Sequence, residues 1–260
     1  MTETIRIDRD ERGVATIWMV RTDKHNALSA LMMDELTEAA NTLGADQSVR
    51  VVVLAAEGKS FCAGGDLGWM QSQMDADAAT KETEARRLAN MLWALNFMPK
   101  PLIGRLQGNA FGGGVGLASV CDVAIGVESL KMGLTETKLG LIPATIGPYI
   151  LARMGEAMAR RVFMSSRLFD AHEAVTLGLL ARVVATEELD AAIESEVAPY
   201  LNCAPQAVGE AKALVQSVCG TVTRDAVDTS VAALAKRWNS PESVEGISAF
   251  FEKRKADWVI

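Results

Sequence analysis

Val51-Val52-Val53-Leu54-Ala55 is an unbroken apolar run. A strand with one face in water alternates apolar and polar residues, and this one does not. It requires a sheet covered on both faces, and sheets of that kind are built from parallel strands joined by helices. The rest of the first half agrees. Val14 to Val20 reads as a β-rich run after a polar opening. Ser29 is placed to cap a helix whose apolar stripe is Met32, Leu36, Ala39 and Leu43, with Gly44 placed to stop it. Residues 77 to 98 read as a long helix, 101 to 106 as a strand, Gly112 to Ser119 as a glycine-led helix and Val123 to Val127 as a short buried strand. After about residue 147 strand signals almost vanish. Pro205 sits at a first helical position, Val208, Ala211 and Val215 form a face, and 222–238 and 241–255 also read as helices. The reading is an α/β core over 1–200 and a helical C-terminal region over 201–260, with no internal repeat.

The 260 residues carry 26 Lys and Arg against 33 Asp and Glu, a net charge of −7. That balance opposes a general binder of nucleic-acid phosphates, while leaving room for a local basic patch. With 49% hydrophobic and 23% charged residues the chain can build an ordinary core without a metal or disulfide staple. No apolar run approaches the roughly 20 residues of a membrane-spanning helix. The polar start lacks an apolar signal core, so a cytoplasmic, membrane-free protein is expected. Cys62, Cys121, Cys203 and Cys219 are scattered, without a CxxC pair, and the chain has two histidines. Free buried thiols are expected and a zinc site is not.

Three segments carry the chemistry. In Ser60-Phe61-Cys62-Ala63-Gly64-Gly65-Asp66-Leu67, small residues either make a tight turn or let a ligand approach backbone N–H groups. In Gly108-Asn109-Ala110-Phe111-Gly112-Gly113-Gly114-Val115-Gly116, three glycines open a helix-like run. Each costs about 1 kcal/mol relative to Ala. They fit either close helix–sheet packing or a helix N-terminus whose free N–H groups face a negative oxygen. GxGxxG, P-loop and GxSxG spacings are absent. In Met132 to Pro143, Glu136 is the one acidic side chain, and it is either a reactive carboxylate or half of an ion pair with Lys138.

Together these segments resemble the crotonase superfamily, the enoyl-CoA hydratases and isomerases. The resemblance runs from Arg21-Thr22-Asp23-Lys24-His25-Asn26-Ala27-Leu28 to Phe250-Phe251-Glu252-Lys253-Arg254-Lys255. It implies a crotonase-like ββα-superhelix core with a C-terminal trimerisation region, a homotrimer or homohexamer, and an acyl-CoA substrate. Coenzyme A would enter as part of the substrate, with no tightly bound cofactor and no metal. The motif match places two backbone donors to a thioester enolate at Gly65 and Gly113. It places Lys24 and Ala63 beside the CoA, and Phe250 and Lys253 on a C-terminal helix that reaches the CoA of a neighbouring subunit.

Hydratases of this family carry two glutamates. The position of the first is Gly116 here, and the position of the second is Glu136. Within the family, Gly65-Asp66-Leu67-Gly68-Trp69-Met70 and Leu139 to Tyr149 resemble the bacterial methylglutaconyl-CoA and carboxygeranoyl-CoA hydratases. This implies hydration of a branched 2-enoyl-CoA by Glu136, with Gly116 leaving room near the β-carbon and Arg153 or Lys138 meeting a distal carboxylate. The alternatives are a Δ3,Δ2-enoyl-CoA isomerase using one glutamate, a non-catalytic acyl-CoA-binding homologue, and an RNA-binding relative, which the acidic charge opposes.

Overall fold

The computed structural model describes residues 2–259. The first part holds β1 (Ile5–Arg9), β2 (Val14–Met19), α1 (Ala30–Ala45), β3 (Val51–Ala56), β4 (Ser60–Cys62), α2 (Leu67–Asp75) and α3 (Ala78–Asn96). The middle holds β5 (Leu102–Leu106), β6 (Asn109–Phe111), α4 (Gly113–Val120), β7 (Val123–Val127), β8 (Lys131–Gly133) and α5 (Gly147–Ala159). Then come β9 (Leu168–Asp170), α6 (Ala171–Thr176), β10 (Arg182–Val184), α7 (Leu189–Leu201), α8 (Pro205–Cys219), α9 (Arg224–Trp238) and α10 (Pro241–Phe251).

The strands form two sheets, ordered β1-β2-β3-β5-β7-β10 and β4-β6-β8-β9. From β3 to β8 the chain alternates between them. β3 leads into β4, β5 into β6 and β7 into β8, and helices return it to the first sheet after β4 and β6; after β8 the chain adds β9 to the second sheet before β10 closes the first. Every residue of β3 is buried, as its unbroken apolar run requires. β2, β3, β5 and β7 pair in parallel, and so do β4, β6 and β8. This is a mixed α/β fold. Among the described residues no helix is long and apolar enough to cross a membrane, and no group of three His, Cys, Asp or Glu is placed to hold a metal ion.

Several local readings change. The polar opening contains β1, which pairs antiparallel with β2. Its Ile5 faces the core while Arg6, Asp8 and Arg9 stay outside, the pattern of an edge strand. Ser29 does cap α1, accepting from Met32 N–H. Gly44 does not stop α1. It lies inside it, where a Cβ would meet Pro99 Cδ at 3.1 Å. The region after 147 contains β9 and β10, each of three residues, too short to show a period. The four thiols are free, but only Cys62 and Cys121 are buried, which pushes both up to about 12. Cys203 and Cys219 are exposed.

Candidate active site

The second sheet explains why three distant segments meet. β4, β6 and β8 are adjacent and parallel, so their C-terminal ends lie side by side. Ala63-Gly64-Gly65 leaves β4, Gly112-Gly113 leaves β6, and Thr135-Glu136 follows β8. Each segment lines one cavity of about 440 Å³. Outside the carboxyl ends of parallel strands is where α/β sheets habitually open a binding crevice.

The contacts are close. A Cβ at Gly64 would lie 3.2 Å from Phe111 O, and one at Gly112 would lie 3.0 Å from Glu136 Oε1. Gly112 has φ +48°, a conformation that favours glycine, so backbone and crowding both require it. Gly114 answers to packing: a Cβ there would sit 2.4 Å from Cys62 O on β4. The glycine run thus serves helix–sheet packing at one residue and close approach to Glu136 at another.

Gly113 is the first residue of α4, so its N–H has no intrahelical acceptor and stands at the positive end of the helix dipole. Among the described residues neither Gly113 nor Gly65 N–H donates to any protein acceptor, and both glycines line the cavity.

Glu136 opens a 3₁₀ turn, Glu136–Leu139, pinned by Lys138 N–H to Thr135 O and by Leu141 N–H to Glu136 O. Its Oε2 is buried without a hydrogen-bond partner. Burial removes water from the carboxylate and raises its pKa from 4.5 to about 7. No ion pair joins Glu136 to Lys138 among the described residues, which removes the alternative reading of that segment. An unpaired, desolvated carboxyl in an apolar cavity, beside two free amides, can accept and return a proton while the amides hold a growing negative charge.

The family model described as Enoyl-CoA hydratase/isomerase matches residues 9–259. The chain belongs to that family. A putative enoyl-CoA hydratase of Thermus thermophilus is 34% identical over 94% of this chain and 97% of its own. The mitochondrial methylglutaconyl-CoA hydratase of Mus musculus is 30% identical over 95% of this chain and 80% of its own. Among solved structures, an enoyl-CoA hydratase from Mycobacterium avium superposes over 100% of both chains with TM-score 0.88 at 30% identity.

This enoyl-CoA hydratase/isomerase chain brings Glu136, Gly65, Gly113, Ala63 and Phe250 to the one cavity. Lys24 and Lys253 do not line it; both are exposed, Lys24 in the turn Thr22–Lys24 and Lys253 just past α10. Phe250 lines the cavity of its own chain. The reason is that α10 folds back on the Glu136 turn: a Cβ at Gly246 would meet Leu139 C at 2.5 Å, and one at Gly140 would meet Glu242 O at 2.2 Å.

Two expectations fail. Gly116 leaves no room, because Ile146 Cγ2 stands 2.4 Å from where its Cβ would be. Arg153 does not face the cavity; it donates to Ser119 O and Asp122 O at the end of α4. Lys138 does line it. The sequence reading also missed Trp69, Trp238 and Ile146 as cavity residues. The two indoles meet edge to face with centroids 6.4 Å apart, and Trp69 Nε1–H donates to Glu84 at 2.7 Å. Trp69 lies four residues after Gly65, a spacing that was visible, but Trp238 arrives from α9 through tertiary packing.

Proposed function

We propose that the chain hydrates a 2-enoyl-CoA thioester, with Glu136 as acid/base and the Gly65 and Gly113 amides as donors to the thioester oxygen. The Glu136 carboxyl carries this reading: its Oε2 is buried without a partner, its pKa is about 7, and its Oε1 lies against the glycine turn that supplies one donor. Water attacks the β-carbon while Glu136 takes its proton. Negative charge moves to the thioester oxygen, where two preorganised amides stabilise it. Losing one such donor costs about 2.7–4 kcal/mol of barrier. Glu136 then returns the proton to the α-carbon, so one water is added across the double bond and the carboxylate is regenerated.

In this reading the CoA passes Ala63 and Phe250 at the cavity mouth, and Lys24 and Lys253 meet its phosphates. The finer substrate proposal is a 3-methyl-branched enoyl-CoA such as 3-methylglutaconyl-CoA. It is supported by the name of the mouse relative and by Lys138, the one cation lining the cavity among the described residues. The chains assemble as a trimer or a pair of trimers, as the apolar exposed face of α8 supports.

The second reading is Δ3,Δ2 isomerisation, favoured by Glu136 being the one acidic residue lining the cavity among those described. A single carboxylate is enough to carry a proton between two carbons. The two are separated by absorbance of the conjugated thioester: hydration of crotonyl-CoA or 3-methylglutaconyl-CoA removes it, and isomerisation of a 3-enoyl-CoA creates it. Glu136→Gln should abolish turnover and still bind a CoA ester. Full activity in that variant, or no turnover of any enoyl-CoA by the wild type, overturns the proposal.

A further inference from the structure

Glycine at 64 and 65 gives a turn that nothing intrinsic holds still. If Gly65 N–H is a donor to substrate, its direction has to be set from outside, and the hydrogen bonds around it show how. The Gly65 N–H shares a peptide plane with the Gly64 carbonyl and points opposite to it. That carbonyl accepts from Leu28 N–H at 2.8 Å. The Leu28 N–H in turn shares a plane with the Ala27 carbonyl, which accepts from Arg21 Nη1 at 2.7 Å. One permanent cation therefore stands at the end of two peptide groups in series, and the Gly65 amide is the other end. The other terminal nitrogen of Arg21, Nη2, donates to Asp66 Oδ2 at 2.9 Å, and Asp66 N–H donates to Leu28 O at 3.0 Å. The Arg21 and Asp66 side chains are 19% and 15% exposed, so water screens the pair little.

We infer that Arg21 positions and polarises the Gly65 amide through the Ala27–Leu28 and Gly64–Gly65 peptide groups, with Asp66 holding the guanidinium in register. Hydrogen-bonded chains strengthen cooperatively, and a charged donor at one end strengthens each link. The planar fork suits Arg: one nitrogen takes the carbonyl while another takes the carboxylate, which a single ammonium would do less well. The two donors are thus activated differently, Gly113 by the start of α4 and Gly65 by this relay. The inference rests on the reading of Gly65 as a donor.

The test is infrared difference spectroscopy of butyryl-CoA labelled at the thioester carbonyl, together with steady-state hydration kinetics. Wild-type protein should lower the carbonyl stretch on binding. Arg21→Met should bind butyryl-CoA within about threefold of wild type, show a smaller downshift, and lose about 10- to 100-fold in kcat with little change in KM. Arg21→Gln, which retains a neutral donor, should fall between, and Asp66→Asn should shift the stretch in the same direction by less. A folded Arg21→Met with the full downshift and kcat within about twofold overturns the relay. Should that variant not fold, the same full downshift in Arg21→Gln overturns it. A wild type that binds butyryl-CoA without any downshift overturns the donor reading itself.

Discussion

Glu136 is held where a carboxylate is least comfortable, and the cost can be measured. Its pKa rises from 4.5 to about 7 because burial opposes the charged form. The folded protein thus binds a proton more tightly than the unfolded chain does. Stability from this group is complete below pH 4.5 and is lost as pH rises through about 7, by up to about 3 kcal/mol. Glu136→Gln removes the charge and keeps the shape. Urea unfolding should show the variant equal to wild type near pH 4.5 and more stable by up to about 3 kcal/mol at pH 8. Equal stability at pH 8 would contradict burial of the ionised carboxyl. In the proposed hydration the same pKa sets the rate: the reaction begins with the ionised carboxylate, so kcat/KM should climb with pH and level off above about 7.

At the scale of the element, α4 and its neighbours decide which side chains the cavity admits. Gly116 sits on α4, one turn past Gly113, and Ile146 at the start of α5 fills the volume a side chain there would occupy. Gly116→Glu alone should therefore destabilise by about 1–3 kcal/mol through overpacking. It should regain much of that stability when combined with Ile146→Ala. Thermal melts of the two single variants and the pair check this, and strict additivity would rule out the contact. The same elements show what a sequence discloses. The buried β3 was legible because every residue answers to one environment. The α1 cap was legible because Ser29 and its apolar stripe are local. The strands β4, β6 and β8 were not, since three residues carry no period, yet they bring 65, 113 and 136 together. The glycine motifs marked the site while the sheet that assembles it stayed hidden. Ile146 was out of reach for the same reason: its contact with Gly116 exists only after α4 and α5 pack.

Across the whole molecule, α8 is the element the single chain leaves unfinished. None of its 15 residues is buried, and Leu214, Val215 and Val218 are 64%, 61% and 76% exposed. It is held to the core by polar bonds, from Lys212 to Asp122 and to Lys100 O, and from Gln216 to Asn96 O. A helix of this length gains little from propensity alone and depends on a covered apolar face. The face formed by Val208, Ala211 and Val215 is accordingly not a core face: Val208 is half-buried, and Ala211 and Val215 are exposed. Covering Leu214, Val215 and Val218 would contribute about 1.5–3 kcal/mol each, which a second copy of the chain can supply. A charge of −7 does not prevent this, because the patch itself is uncharged. Sedimentation of the wild type should therefore give a species three or six times the mass of one chain, at micromolar concentration. Leu214→Asp with Val218→Asp should shift it to the single chain, since two carboxylates would have to be buried for assembly to persist. The double variant should keep its α/β circular dichroism, because neither side chain is part of the core. An unchanged assembly in that variant would place the contact on another face.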